Sequence, residues 1–129
     1  MNTAIVMLGS NMDKEKNMEL VKIKLADYFE IIDQSKIIES EPVGEKYKHN
    51  FLNQAIKILS DDSAEQTAIH FKHIETEMGR SAATSKKGEV PIDIDLIFWN
   101  KELKRDDYTK YDFVKICVDE IKDNIEFTT

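Results

Sequence analysis

The segment from Pro91 to Trp99 constrains the fold more than any other part of the chain, because apolar Ile92, Ile94, Leu96 and Phe98 alternate with Asp93, Asp95, Ile97 and Trp99. A period of two is that of a strand, with successive side chains on opposite faces. Asp93 and Asp95 therefore share a face, roughly 6.6 Å apart along the strand. Aspartate is depleted in strands, and two carboxylates on one face repel unless something positive lies between them. Mg²⁺ suits such a pair, since it takes one or two carboxylates and completes its shell with water and phosphate oxygens. An edge strand with its Asp face in solvent is the other reading of the pair.

The remaining elements follow from period and punctuation. Thr3 to Leu8 is an almost continuous apolar run, which predicts a central strand, and Gly9, Ser10 and Asn11 break it. Met18, Val21, Leu25, Tyr28 and Ile32 recur at steps of three and four and predict a helix from about Lys14 to Ile32. Ser35 to Glu41 reads as an edge strand closed by Pro42, Val43 and Gly44, and Phe51 to Leu59 as a third strand. Ser63 and Gln66 have capping-box spacing ahead of an apolar stripe of Ala64, Ala68, Phe71, Ile74 and Met78, with Gly79 in the C′ position. Arg80 to Val90 is polar and predicts a mobile loop able to fold over a polyphosphate as a lid. Asn100 to Tyr111 is a connection to a last helix carrying Val114, Cys117, Val118, Ile121 and Ile125. The order predicts one α+β domain over residues 1–129, ferredoxin-like, with a mostly antiparallel four-stranded sheet and helices packed on one face. The other face is expected to carry the site.

Composition narrows the function classes. A net charge of −7 argues against a general nucleic-acid binder, which needs surplus Lys and Arg. With 41% apolar and 33% charged residues, the chain is expected to fold and stay soluble, without a membrane span. The single Cys117 has no disulfide partner, and a reducing cytoplasm fits. His49, His70 and His73 have no metal-ligand spacing, and no nucleophile system stands out. Gly9-Ser10-Asn11 matches no phosphate-loop pattern and is first of all a turn. Phe51 and Asn53 share a strand face and suit either a flat heterocycle or a plain sheet surface.

Taken in order, Leu8-Gly9-Ser10-Asn11, Ser40-Glu41-Pro42-Val43-Gly44, Phe51-Leu52-Asn53, Glu75 with Met78-Gly79-Arg80, and Pro91-Ile92-Asp93-Ile94-Asp95-Leu96 resemble the 6-hydroxymethyl-7,8-dihydropterin pyrophosphokinase family. The resemblance runs from about Ile5 to Trp99, and its fold in that family is ferredoxin-like. It implies transfer of the diphosphate of ATP to the hydroxymethyl group of a reduced pterin, giving AMP, in folate biosynthesis. It also implies that Asp93 and Asp95 hold two Mg²⁺ ions, and that Arg80, Lys86, Asp93 and Asp95 are the catalytic set. The pterin side matches Ser40, Val43, Phe51, Asn53 and Phe113, and the nucleotide side Glu75, Arg80, Lys86 and Leu96. A monomer that binds small molecules only is expected. The chain departs from the family pattern at Val90 and Ala82, where arginines are usual, and in a shortened segment after Trp99 that sets Tyr111-Asp112 before Phe113. Lys86, Lys87 and Arg105 are then the replacement cations of an active enzyme; the alternative is a weakly active or non-catalytic relative that binds pterin or Mg-nucleotide.

Overall fold

A strand with apolar residues on both faces has to be covered on both faces, and the first strand is placed accordingly. In the computed structural model, which describes residues 1–47 and 49–123, β1 (Asn2–Ser10) lies mid-sheet. Along the chain follow α1 (Lys14–Ala26), β2 (Glu30–Gln34), β3 (Ile38–Ser40), β4 (Phe51–Ser60), α2 (Ala64–Glu77), α3 (Ala82–Lys86), β5 (Asp93–Trp99), β6 (Glu102–Leu103), α4 (Asp107–Lys110) and α5 (Asp112–Ile121). All strands pair antiparallel, in the order β2-β4-β1-β5-β6, with β3 also on β4. The α+β class stands, but the sheet has six strands where four are predicted.

Ala4, Val6 and Leu8 point into one core with Met18, Val21 and Leu25 of α1 and Phe71 and Ile74 of α2. Ile5 and Met7 point into a second core with Tyr108 of α4 and Val114, Cys117, Val118 and Ile121 of α5. Helices thus pack on both faces, which corrects the one-faced arrangement. The apolar stripe of α5 has to be buried somewhere, and the Ile5, Met7 and Ala55 face is where it goes. Ile125 lies outside the described residues.

Two local predictions also change. α1 ends at Ala26 instead of running on to Ile32, because the period switches from helical to two: Phe29 and Ile31 turn inward while Tyr28 and Ile32 are exposed. Of the edge strand predicted from Ser35 to Glu41 only Ile38–Ser40 forms, as β3, while β2 (Glu30–Gln34) is a separate strand ahead of it, with Ser35 in the gap between them. The Ser35 N–H donates to the Ala55 carbonyl at 2.8 Å, and its hydroxyl oxygen accepts the Ala55 N–H at 2.9 Å, so a side chain fills in for the ladder where the strand breaks.

The Arg80 to Val90 segment is likewise less free than its polarity predicts. Ser81 and Thr84 close a capping box that starts α3. Asn11, buried at the end of β1, then clamps the far end: its Nδ2 donates to the Gly88 carbonyl at 2.9 Å and its Oδ1 accepts the Val90 N–H at 2.6 Å. Gly88 has φ +69°, and a Cβ there would overlap the Lys46 carbonyl oxygen, so glycine lets the 41–47 and 80–90 segments meet.

Asn11→Ala removes both bonds and leaves the buried Val90 N–H without its acceptor, a loss of about 1–3 kcal/mol. Urea unfolding reads that loss, and hydrogen exchange at the Val90 amide is expected to accelerate; unchanged exchange would show that the clamp does not hold the segment.

Candidate functional site

Strand register builds the site. Gly9 pairs with Asn53 of β4 on one side and with Asp93 of β5 on the other; Met7 pairs with Ala55 and Asp95 in the next row. Paired residues share a face, so Asp93, Gly9 and Asn53 form one row across three strands. These rows floor a cavity of about 260 Å³ at the end of the sheet. Its walls come from the 41–47 segment, from Arg80 and Val90, and from the start of α5. A Cβ on Gly9 would lie 3.5 Å from Asn53 Oδ1 and 3.8 Å from the Phe51 ring. Glycine therefore keeps the floor between the two ends of the cavity clear.

One end is acidic and guanidinium-bound. Arg80 Nη1 donates to Asp93 Oδ1 at 2.8 Å and lies 3.1 Å from Glu75 Oε2. Arg105 Nη1 lies 3.5 Å from Asp95 Oδ1, while Arg105 Nη2 donates to Asp107 at 3.2 Å. Burial alone would raise Asp93, but its hydrogen bond with Asp95 and the Arg80 guanidinium outweigh that and hold it below the usual carboxylate range. Burial first, and then the Asp93 carboxylate, push Asp95 up to about 8. Left to themselves, the two carboxylates keep a proton between them, the signature of a pair with surplus negative charge. A hard cation relieves that surplus. Among the described residues no group of three or more His, Cys, Asp or Glu is arranged to hold a metal. Two carboxylates fit Mg²⁺, which draws its other ligands from water and phosphate.

The other end is aromatic. Phe51 and Phe113, from β4 and α5, line the same cavity. Tyr47 meets Phe51 edge-on at 5.3 Å, and Tyr111 stacks on Phe113 at 5.7 Å with 25° between planes. Asn53 Nδ2 donates to the Ile38 carbonyl at 3.0 Å and to the Ser40 hydroxyl at 2.8 Å. With both amide hydrogens so engaged, Oδ1 is left as an acceptor for a ligand N–H.

Of the residues picked out by sequence, Ser40, Val43, Phe51, Asn53, Arg80, Asp93, Asp95 and Phe113 meet at this cavity. Three others stand apart from its lining. Glu75 is buried behind the wall, accepting the Ile94 N–H at 2.8 Å, and burial raises its pKa against the Ile94 bond and Arg80, which lower it. Leu96 packs against the core under α1 and α2. Lys86 is exposed on α3. Glu41, Tyr47, Asp107 and Tyr111 also line the cavity without having been singled out as site residues. The aromatic pair spacing Tyr47/Phe51 and Tyr111/Phe113 was the available signal for two of them.

A family model described as 7,8-dihydro-6-hydroxymethylpterin-pyrophosphokinase (HPPK) matches residues 5–123. The chain belongs to this family. It is 32% identical over 106 residues to the 2-amino-4-hydroxy-6-hydroxymethyldihydropteridine pyrophosphokinase of Aquifex aeolicus, a match covering 81% of this chain and 66% of that one. The Bacillus subtilis protein of the same name is 29% identical over 104 residues, covering 78% and 62%. The folate synthesis bifunctional protein of Arabidopsis thaliana is 31% identical over 99 residues, covering 75% of this chain and 20% of that protein. The chain thus spans a fifth of the plant protein and just under two thirds of each bacterial one. Among solved structures, the HPPK-DHPS of Plasmodium falciparum with SDX-DHP matches with a TM-score of 0.58 at 16% identity, over 99% of this chain and 37% of that one. An HPPK-DHPS crystallised in complex with substrates matches with a TM-score of 0.57 at 14% identity, over 78% and 28%. At such identities the two structures speak for the HPPK fold alone.

Glu75→Ala leaves the Ile94 N–H without its acceptor and takes from Arg80 one of its two carboxylate partners, and is expected to cost about 2–3 kcal/mol in urea unfolding. Glu75→Gln keeps an acceptor for Ile94 and should cost clearly less; equal losses would mean that the ion pair, and not the acceptor, is what Glu75 supplies.

Proposed function

We propose that this HPPK-family chain transfers the β,γ-diphosphate of ATP to the hydroxymethyl group of 6-hydroxymethyl-7,8-dihydropterin, releasing AMP, as a step of folate biosynthesis. The observation that carries the reading is the row Asp93, Gly9, Asn53, which joins an acidic, metal-suited end of one cavity to an aromatic end with a fixed hydrogen-bond acceptor. Phe51 and Phe113 sandwich the pterin ring, Asn53 Oδ1 accepts one of its N–H groups, and Ser40 and Val43 close the rim. Asp93 and Asp95 hold the Mg²⁺, two ions in this reading. Glu75, Arg80, Lys86 and Leu96 form the nucleotide side, Glu75 through its grip on Arg80. Bound metal supplies charge neutralisation across the phosphates. The pterin hydroxyl oxygen attacks the β-phosphorus, the bond from that phosphorus to the α,β-bridging oxygen breaks, and the hydroxyl proton passes to solvent. The protein's part is positioning and electrostatic stabilisation.

The strand order β2-β4-β1-β5 supports the ferredoxin-like label for the sheet's centre. No helix among the described residues is long and apolar enough to cross a membrane. A weakly active or non-catalytic relative is the second reading, favoured by Val90, an apolar side chain on the cavity wall, and by Lys86 standing outside it.

AMP release from ATP, with and without the reduced pterin, separates the two. Pterin-dependent AMP is expected, and Asp95→Ala should cut it at least about a hundredfold, the scale of several kcal/mol of charge stabilisation, without lowering the melting temperature. Pterin binding with no AMP release would select the second reading.

A further inference from the structure

Asp95 has a partner that the reaction above leaves idle. Arg105, on the turn between β6 and α4, sets Nη1 3.5 Å from Asp95 Oδ1, an ion pair too long for a hydrogen bond. Its Nη2 donates to Asp107 Oδ2 at 3.2 Å, and Asp107 is the first residue of α4 and lines the cavity. The side chain is 46% exposed. A guanidinium has five N–H donors in a rigid fork, so Arg105 is hydrogen-bonded to one residue of the cavity lining, Asp107, rests on another, Asp95, by charge alone, and has donors to spare.

Arg80 is differently placed. Its Nη1 is within 2.8 Å of Asp93, 3.1 Å of Glu75 and 3.4 Å of the Ile92 carbonyl, and Glu75 is buried. Moving it away would leave the buried Glu75 carboxylate with the Ile94 N–H and, for a cation, only the exposed Lys72 ammonium at 3.5 Å, whereas Arg105 rests on the less buried Asp95. Between the two guanidiniums at the carboxylates, Arg105 is the one that can leave.

We propose that Arg105 is a phosphate-binding residue of this site, held on Asp95 as a stand-in cation until a metal-bound polyphosphate arrives. With Asp95 free to serve a bound metal, the Arg105 guanidinium would pass to a phosphate oxygen, where a planar fork binds in bidentate fashion. The inference rests on the nucleotide reading of the site and deepens it.

The exchange has a signature of opposite signs. With Arg105→Ala, Mn²⁺ alone should bind several-fold tighter, because a cation competing for Asp95 is gone. The Mg²⁺ complex of a non-hydrolysable ATP analogue should bind about tenfold weaker, because a charge-assisted phosphate contact is gone. Arg105→Lys keeps the charge without the fork and should fall between wild type and Arg105→Ala in both titrations. Electron paramagnetic resonance reads the Mn²⁺ and calorimetry the nucleotide, both on the full chain, with the melting temperature recorded alongside. Unchanged nucleotide affinity in Arg105→Ala overturns the inference and leaves the pyrophosphokinase reading intact. Weakening of both ligands with a lowered melting temperature marks Arg105 as a structural residue and also overturns it. If the wild-type chain binds no metal–nucleotide, the functional reading falls, and the role of Arg105 falls with it.

Discussion

Two carboxylates side by side on one strand face are the constraint around which the cavity is arranged. Asp93 and Asp95 are each partly buried, which disfavours their charged forms, and the Asp93 carboxylate further disfavours the charge on Asp95. The molecule answers with one guanidinium per carboxylate, Arg80 from the end of α2 and Arg105 from beyond β6. The answer is unequal. Arg80 makes a short, hydrogen-bonded contact and its aspartate stays ionised; Arg105 stands further off, and its aspartate is pushed up to about 8. That asymmetry leaves one firm anionic ligand and one that a stronger cation can claim.

The pair could not be held in register by a loop. Its geometry comes from β5 lying beside β1, and β1 is held by apolar contacts on both faces: Ala4, Val6 and Leu8 toward α1 and α2, Ile5 and Met7 toward α4 and α5. A one-residue slip of β5 would turn the aspartates into the first core and Ile94 out of it. The same register sets Asn53 in line with Asp93 across Gly9, so the acidic and aromatic ends of the cavity are fixed relative to each other by sheet hydrogen bonds. A reaction that needs two reactants brought in line gains from rigidity of this kind.

What could be read from the chain depended on how local the signal was. β5 declares itself by strict alternation, β1 by an unbroken apolar run, and α2 by its cap, where Ser63 does accept the Gln66 N–H at 3.1 Å. The end of α1 is not legible locally because Tyr28 and Ile32 continue the helical spacing by coincidence; packing of Phe29 and Ile31 into the first core decides the matter, and that is tertiary. The second layer of helices was missed because a stripe such as Val114, Cys117, Val118 and Ile121 shows that α5 is amphipathic without saying which sheet face it covers. The tether on the 80–90 segment comes from Asn11, 77 and 79 residues away from the groups it binds, and no local pattern encodes such a bond. The site divides in the same way. Asp93, Asp95, Phe51 and Asn53 were visible as pairs two apart on strands, whereas Tyr47 and Asp107 lie in turns and short helices where spacing carries no orientation.

The place of Glu75 gives the last step. A buried carboxylate that accepts a strand N–H would ordinarily serve the fold alone, yet here its other partner is Arg80, which reaches on to Asp93. Helix α2, strand β5 and the acidic end of the cavity are thereby linked through one guanidinium. The link has a consequence for the charge available to a ligand: an arginine committed to two carboxylates, one of them buried, presents less of its charge to an incoming phosphate than a free one would. With Val90 on the wall and Lys86 turned away on α3, the cation best able to move toward phosphate is the one that rests on Asp95 without a hydrogen bond. The two guanidiniums thus differ in kind: Arg80 ties the site to the core, and Arg105 rests on Asp95 by charge alone.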